Sequence, residues 1–151
     1  MLAGAATVTS VRWTGMYRFV STPPDPAADN FVIFFFEDIN GLPDLTPFAS
    51  YSVGSDVNRV STGLTILEQE NQVLRTEFSD VATIPPTLLQ AGTPYYLAIW
   101  NNPGFSLAGW SWASGAAGDT VNYIKTAFPT SMFPWTQGND MSHSFALSDV
   151  P

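Results

Sequence analysis

The chain has no cysteine, one lysine (Lys125) and one histidine (His143). Without cysteine there are no disulfides and no thiolate metal sites, and cysteine usage says nothing about the redox compartment. Zinc-type sites draw on several His or Cys ligands, and here the material for one is lacking. His143 lies in "MSHSF", flanked by Ser142 and Ser144. Neighbours on a strand point to opposite faces, so neither serine is placed to share a proton with the ring, and His143 reads as a surface strand residue. No G-x-S-x-G elbow occurs. Basic charge is scarce: five Lys and Arg stand against thirteen acids, a formal net charge of −8. That balance repels a phosphate backbone, and no basic cluster offsets it, which argues against nucleic acid as a partner. No apolar run approaches the ~18 residues that a membrane-spanning helix needs. The opening "MLAGAATVTS" lacks the basic start and long apolar centre of a signal peptide, and reads as the small-residue edge of a mature chain with an initiator Met. Helical periodicity is almost missing as well.

What is present is apolar bulk and a period of two. Hydrophobic residues make up 45% of the 151 positions and aromatic ones 14%, enough for one domain, 1–151, to bury a core that offsets the entropy of ordering the chain. "VRWTGMYRFV" sets Val11, Trp13, Gly15, Tyr17 and Phe19 on one face and Arg12, Thr14, Met16 and Arg18 on the other, as in a half-buried strand. Gly15 interrupts the pattern and marks a bulge or a close backbone approach. The proline-rich stretch 22–30 is a loop. "FVIFFFE" is apolar on both faces, as a central strand between layers should be. "FASYSVG", "VNRVSTGLTIL" and "QVLRTEFSD" read as strands, the last two joined by a charged hairpin tip at "EQEN". The one short helix is expected at Pro86–Gln90, with proline near its start and Gly92 past its end. "YYLAIW", "AGWSWAS", "TVNYIKTAF" and "SHSFALSDV" complete the series. About nine short strands separated by turn clusters predict an antiparallel β-sandwich or jelly roll with at most one short helix.

Few places can carry chemistry. In "EDINGLPD", Glu37, Asp38, Asn40 and Asp44 gather hard oxygen donors around Gly41, which suits calcium, although the spacing is not that of an EF-hand and ordinary Asx-turn chemistry explains the same residues. "SGAAGD", ending in Asp119, offers less. Jelly-roll glycosidases use two carboxylates across a sugar, and Glu37, Asp38, Glu68, Glu70 and Glu77 are the acids available. Trp100 ends an apolar strand and reads as core. Trp110 and Trp112 alternate with small residues and share a face, which serves either a core or a binding platform. Trp135, with Phe133 beside it on a proline-bounded loop, is the best candidate for an exposed aromatic.

The order of "VRWTGMY", "DNFVIFFFEDINGLPDL", "TGLTI", "AGTPYYLAIWNN", "GWSWASGAAGD" and a terminal "SFALSDVP" resembles exported bacterial proteins of the PEP-CTERM class and related secreted β-sandwich proteins, over roughly residues 8–148. The resemblance implies an extracellular or cell-surface location and an association with biofilm or exopolysaccharide. The class's sorting tail, a Pro-Glu-Pro tripeptide followed by a membrane helix and a basic cluster, would begin where this sequence stops, at Val150-Pro151. The leading expectation is a non-catalytic surface or matrix protein acting by contact. Self-association into an oligomer or filament would use edge strands poorly guarded by lysine, "AATVTSVRW" among them. The alternatives are a carbohydrate-binding module stacking sugars on Trp110, Trp112, Phe133 and Trp135, and a glycoside hydrolase.

Overall fold

Two antiparallel sheets face each other across the aromatic core that the alternation predicts. In the computed structural model, residues 4–68, 72–102, 109–112, 123–124, 136–137 and 145–149 are described. The chain runs through β1 (Ala6–Arg18), a single 3-10 turn (Pro26–Ala28), β2 (Phe31–Ile39), β3 (Leu42–Pro43), β4 (Ala49–Gly54) and β5 (Asn58–Glu68). It continues through β6 (Val73–Leu89), β7 (Tyr95–Asn101), β8 (Gly109–Trp112), β9 (Tyr123–Ile124), β10 (Thr136–Gln137) and β11 (Phe145–Ser148). The larger sheet has the order β11-β1-β6-β5, with β8 also paired to β1. The smaller places β2 between β4 and β7, with β3 folded back on the end of β2, and β9 pairs with β10 separately. Among the described residues, nine strands in two antiparallel sheets make the expected β-sandwich.

The core lies between the sheets. Val8, Val11 and Trp13 of β1 and Ala82, Ile84 and Leu89 of β6 meet Phe31, Ile33 and Phe35 of β2. Trp13 and Trp110 both set their rings edge-on to Phe31, at centroid distances of 5.2 and 5.5 Å. Each large side chain removed from water contributes about 1.5–3 kcal/mol, so this row of aromatics is the main adhesive between layers. Gly15 marks a close approach: a Cβ there would lie 2.6 Å from the carbonyl oxygen of Ser111 and run into the Trp110 indole.

Several expectations are corrected. Pro86–Gln90 is not a helix, because Thr87, Leu88 and Leu89 pair with Val8, Thr7 and Ala6 as the end of β6. The register slips between Val8 and Ser10, so the opposing stretch between Thr83 and Thr87 bulges. Pro85 and Pro86 fall inside that bulge, where a missing N–H costs no ladder bond. The same bulge flips the inward face of both strands, from Val11 to Val8 and from Ile84 to Leu89. "QVLRTEFSD" and "ATIPPTLL" are therefore one 17-residue strand. Phe19 does not join the inner face: the chain leaves β1 at Arg18, Phe19 takes a φ of 64° and its ring is 51% exposed. Trp100 sits outside the inner core, since Tyr95, Leu97 and Ile99 are the β7 residues that pack inward. "AATVTSVRW" is an edge only in part: β6 runs along one side, and on the other β11 pairs with Ser10–Trp13, leaving Ala6–Thr9 without a strand there among the described residues.

Candidate functional site

The sandwich closes at one end over a group of charged and polar side chains drawn from both sheets. Its anchor is Asp29. Asp25 caps the 3-10 turn by accepting from the Ala27 amide at 2.9 Å, and the Asp29 amide donates back to the Pro26 carbonyl at 3.1 Å. Proline in the first position pre-sets the backbone of this turn. Asp29 is thereby held above the start of β2, where its carboxylate meets Tyr17 from β1, Arg59 from β5 and Asn101 from the end of β7.

The contacts saturate one another. Arg59 donates through Nη1 to Asp29 Oδ2 at 2.9 Å and to the Tyr17 hydroxyl at 2.8 Å, and through Nη2 to the Pro24 carbonyl at 2.5 Å. The Tyr17 hydroxyl donates to Asp29 Oδ1, which also accepts from Asn101 Nδ2 at 2.9 Å. Asn101 Oδ1 accepts from the Asn30 amide at 2.9 Å. The Arg59 guanidinium lies over the paired rings of Tyr17 and Phe78, 5.0 and 5.1 Å from their centroids. A buried ion pair stabilises only when its remaining donors and acceptors are also met, and here they are. Burial first, and then the hydrogen bond to Asp29, push the Tyr17 hydroxyl well above its ordinary range, so it stays protonated. The cluster works as a latch between the sheets.

Beside the latch lies a carboxyl group that it does not satisfy. Asp80 stands in β6 directly between Trp13 of β1 and Arg59 of β5 in the sheet register. Its exposure is 0%, and neither oxygen has a hydrogen-bond partner. Burial raises its pKa to about 7; the Asp29 charge adds to the rise and Arg59 partly offsets it. Arg59 thus serves two acids, Asp29 by contact and Asp80 at longer range.

A second ionic group ties the β5–β6 hairpin to the end of β1. Glu68 is fully buried. Its Oε2 accepts from Arg75 Nε at 2.7 Å and lies 2.6 Å from Arg75 Nη2, while Oε1 accepts from the Phe19 amide at 3.1 Å and lies 3.8 Å from Arg18 Nε. Arg75 also donates through Nη1 to the Val20 carbonyl. A cleft of about 210 Å³ opens between this hairpin and the segment after β1, lined by Tyr17, Val20, Ser21, Pro23, Leu74 and Arg75. Its two strongest polar groups, Tyr17 and Arg75, are already engaged in the two clusters.

The residues singled out from the sequence fall elsewhere. Trp110 and Trp112 are partly buried and packed against the core cluster. Their rings meet edge-on at 6.3 Å, and Trp112 stacks on Phe145 at 6.2 Å. Phe133, Trp135, His143, Glu70 and Asp119 lie outside the described residues. In the loop considered for calcium, Asn40 and Gly41 take φ values of 59° and 84°, a tight hairpin turn. Asp38 Oδ1 accepts from the Gly41 amide and Oδ2 from the Tyr96 hydroxyl, at 2.9 and 2.8 Å. Asp44 Oδ1 accepts from the Leu45 amide at 2.6 Å, and Glu37 enters only through its backbone carbonyl, which accepts from the Asp44 amide. These carboxylates serve the turn, and no group of three His, Cys, Asp or Glu able to hold a metal occurs among the described residues. Of the acids weighed for glycosidase chemistry, Glu68 is buried in an ion pair, and the Glu77 carbonyl accepts from Thr62 at 3.3 Å.

The sequence reading missed Tyr17, Asp29, Arg59, Asp80 and Asn101 as a group. One signal was present: Phe78, Asp80, Ala82 and Ile84 alternate on one face, and an acid in such a row is either exposed at a rim or buried for a reason. Asp29 and Asn101 carry no such mark, since only the antiparallel pairing of β2 with β7, which sets Phe31 opposite Asn101, brings them together. Comparison with known proteins finds no matching family model, no matching curated protein and no matching solved structure.

Proposed function

We propose that this chain is a non-catalytic, exported β-sandwich of the cell surface or extracellular matrix that works by surface contact and self-associates through the outer side of β5. The observation that carries the reading is the chemistry of that edge. β5 ends the larger sheet among the described residues, with β6 on its inner side. Its two charged residues, Arg59 and Glu68, are both spent in buried ion pairs. What remains outside is uncharged: Val60, Leu64 and Leu67 are exposed, with Leu64 at 63% and Leu74 on the neighbouring strand at 64%. An edge whose outward side carries no lysine, proline or charge accepts another strand, and the irregularity between Ser61 and Thr65 leaves the stretch Thr65–Leu67 as its regular part. On a molecule of net charge −8, an uncharged strip is also where two copies repel least.

Sedimentation across a concentration series tests this. The expected result is concentration-dependent association of the native chain, abolished by Leu64→Lys. A native chain that stays monomeric at millimolar concentration overturns the reading. A second reading, a carbohydrate-binding module, has one observation in its favour: Phe145 is 49% exposed and stacks on Trp112, so an aromatic surface begins at β8 and β11. A polysaccharide array with tryptophan fluorescence as readout separates the two, because binding without association supports the module alone.

A further inference from the structure

Asp80 has a geometry that neither contact function uses. It occupies the middle of β6, in one row with Trp13 on β1 and Arg59 on β5, at zero exposure and with both carboxyl oxygens unbonded. A buried carboxylate with no donor is far costlier than the neutral acid, so the site selects the protonated form. Around it stand Trp13 and Arg59 on the neighbouring strands and, through Arg59, the members of the latch. From β1 come Trp13, whose Nε1 has no hydrogen-bond partner, and the neutral Tyr17 hydroxyl. From β5 comes Arg59, from the segment before β2 the carboxylate of Asp29, and from β7 the amide of Asn101. β4 carries no charged residue. One guanidinium therefore stands against two carboxyl groups.

We propose that Asp80 is a proton-operated release for the latch that joins the two sheets. With Asp80 neutral, Arg59 gives its full set of bonds to Asp29, Tyr17 and Pro24, and the segment 24–30 and the end of β7 are held down. When Asp80 loses its proton to solvent, an uncompensated charge stands beside Arg59 in the register of β5 and β6. The guanidinium is the facing cation, and it can approach Asp80 only by giving up bonds to Asp29 or Pro24. Acid closes the latch and alkali loosens it. The rise of the Asp80 pKa to about 7 puts the change near neutrality, and the free side-chain value of 3.8 fixes its sign. Between about pH 4 and 7 the folded chain holds a proton that the unfolded chain has lost, so stability falls as pH rises across that window and levels off above it.

The test uses the whole chain with carbon-13 at the aspartate carboxyls. The Asp80 resonance is expected to titrate with a midpoint near 7. Amide exchange at Asn30 and Asn102, whose N–H groups tie the segment before β2 to the end of β7, should speed up severalfold from pH 6 to 8 after correction for intrinsic rates. In Asp80→Asn that acceleration should vanish. The native folded-to-unfolded ratio should fall by up to about tenfold per pH unit between 4 and 7, relative to the variant. An Asp80 midpoint below about 5 overturns the proposal, and so does equal latch exchange in both proteins at pH 8. If Asp80→Asn does not fold, the native titration and its exchange profile decide alone.

Discussion

At the scale of single residues, the protein is governed by close approaches and by polar groups that water cannot reach. Gly15 is the plainest case, because β8 packs so tightly on β1 that a side chain at this position meets the Ser111 carbonyl and the Trp110 ring. Gly15→Ala is expected to destabilise the fold by roughly 1–3 kcal/mol, read by urea denaturation, with a shift in tryptophan emission as Trp110 is displaced. An unchanged denaturation midpoint would mean that β8 can move away. Arg59 shows the opposite side of the same physics. Its stability contribution comes from completing the partners of Asp29 and Tyr17, not from charge attraction alone, since an isolated buried pair often fails to repay its desolvation.

Among elements, the β5–β6 hairpin depends on its link to β1. Glu68 accepts the Phe19 amide and holds Arg75, which in turn binds the Val20 carbonyl, so one buried carboxylate ties the hairpin to the chain leaving β1. Glu68→Ala takes the acceptor from the Phe19 amide and from Arg75 Nε and is expected to cost about 3 kcal/mol. The Phe19 amide should lose its exchange protection while the Trp13 amide in the core keeps its own. Loss of protection in both would show that the hairpin and the core unfold as one unit. The bulge at Pro85 and Pro86 is a second element-scale device. It absorbs two prolines into a long strand and resets which side chains face inward, so a strict period of two traced through this strand gives the wrong face beyond it.

For the whole molecule, charge sets the terms. Copies at −8 repel one another, so the association proposed for β5 should strengthen as salt rises from 20 to 300 mM, as read by sedimentation. Association that weakens with salt would point to a contact between opposite charges elsewhere. The pH dependence also belongs here, since an Asp80 carboxyl raised by burial to about 7 is expected to make the fold lose stability as pH rises between roughly 4 and 7. That slope runs opposite to the usual acid denaturation driven by paired carboxylates.

The sequence alone determined the layers. Alternating apolar residues in β1 and runs apolar on both faces in β2 and β7, punctuated by Gly, Pro and Asx turns, point to the inside of a two-sheet sandwich, and the hairpin joining β5 to β6 was legible from the polar run between them. Local rules reach that far because period and turn chemistry are properties of neighbouring residues. Only the tertiary structure decided which polar residues meet. Asp29 and Arg59 are thirty positions apart and Tyr17 and Asn101 eighty-four, and no local pattern records that the packing of strands from both sheets brings them together. The structure also decided that Pro86 continues a strand and that Trp100 turns outward, because bulges and sheet order are set by the partner strand and not by the segment itself.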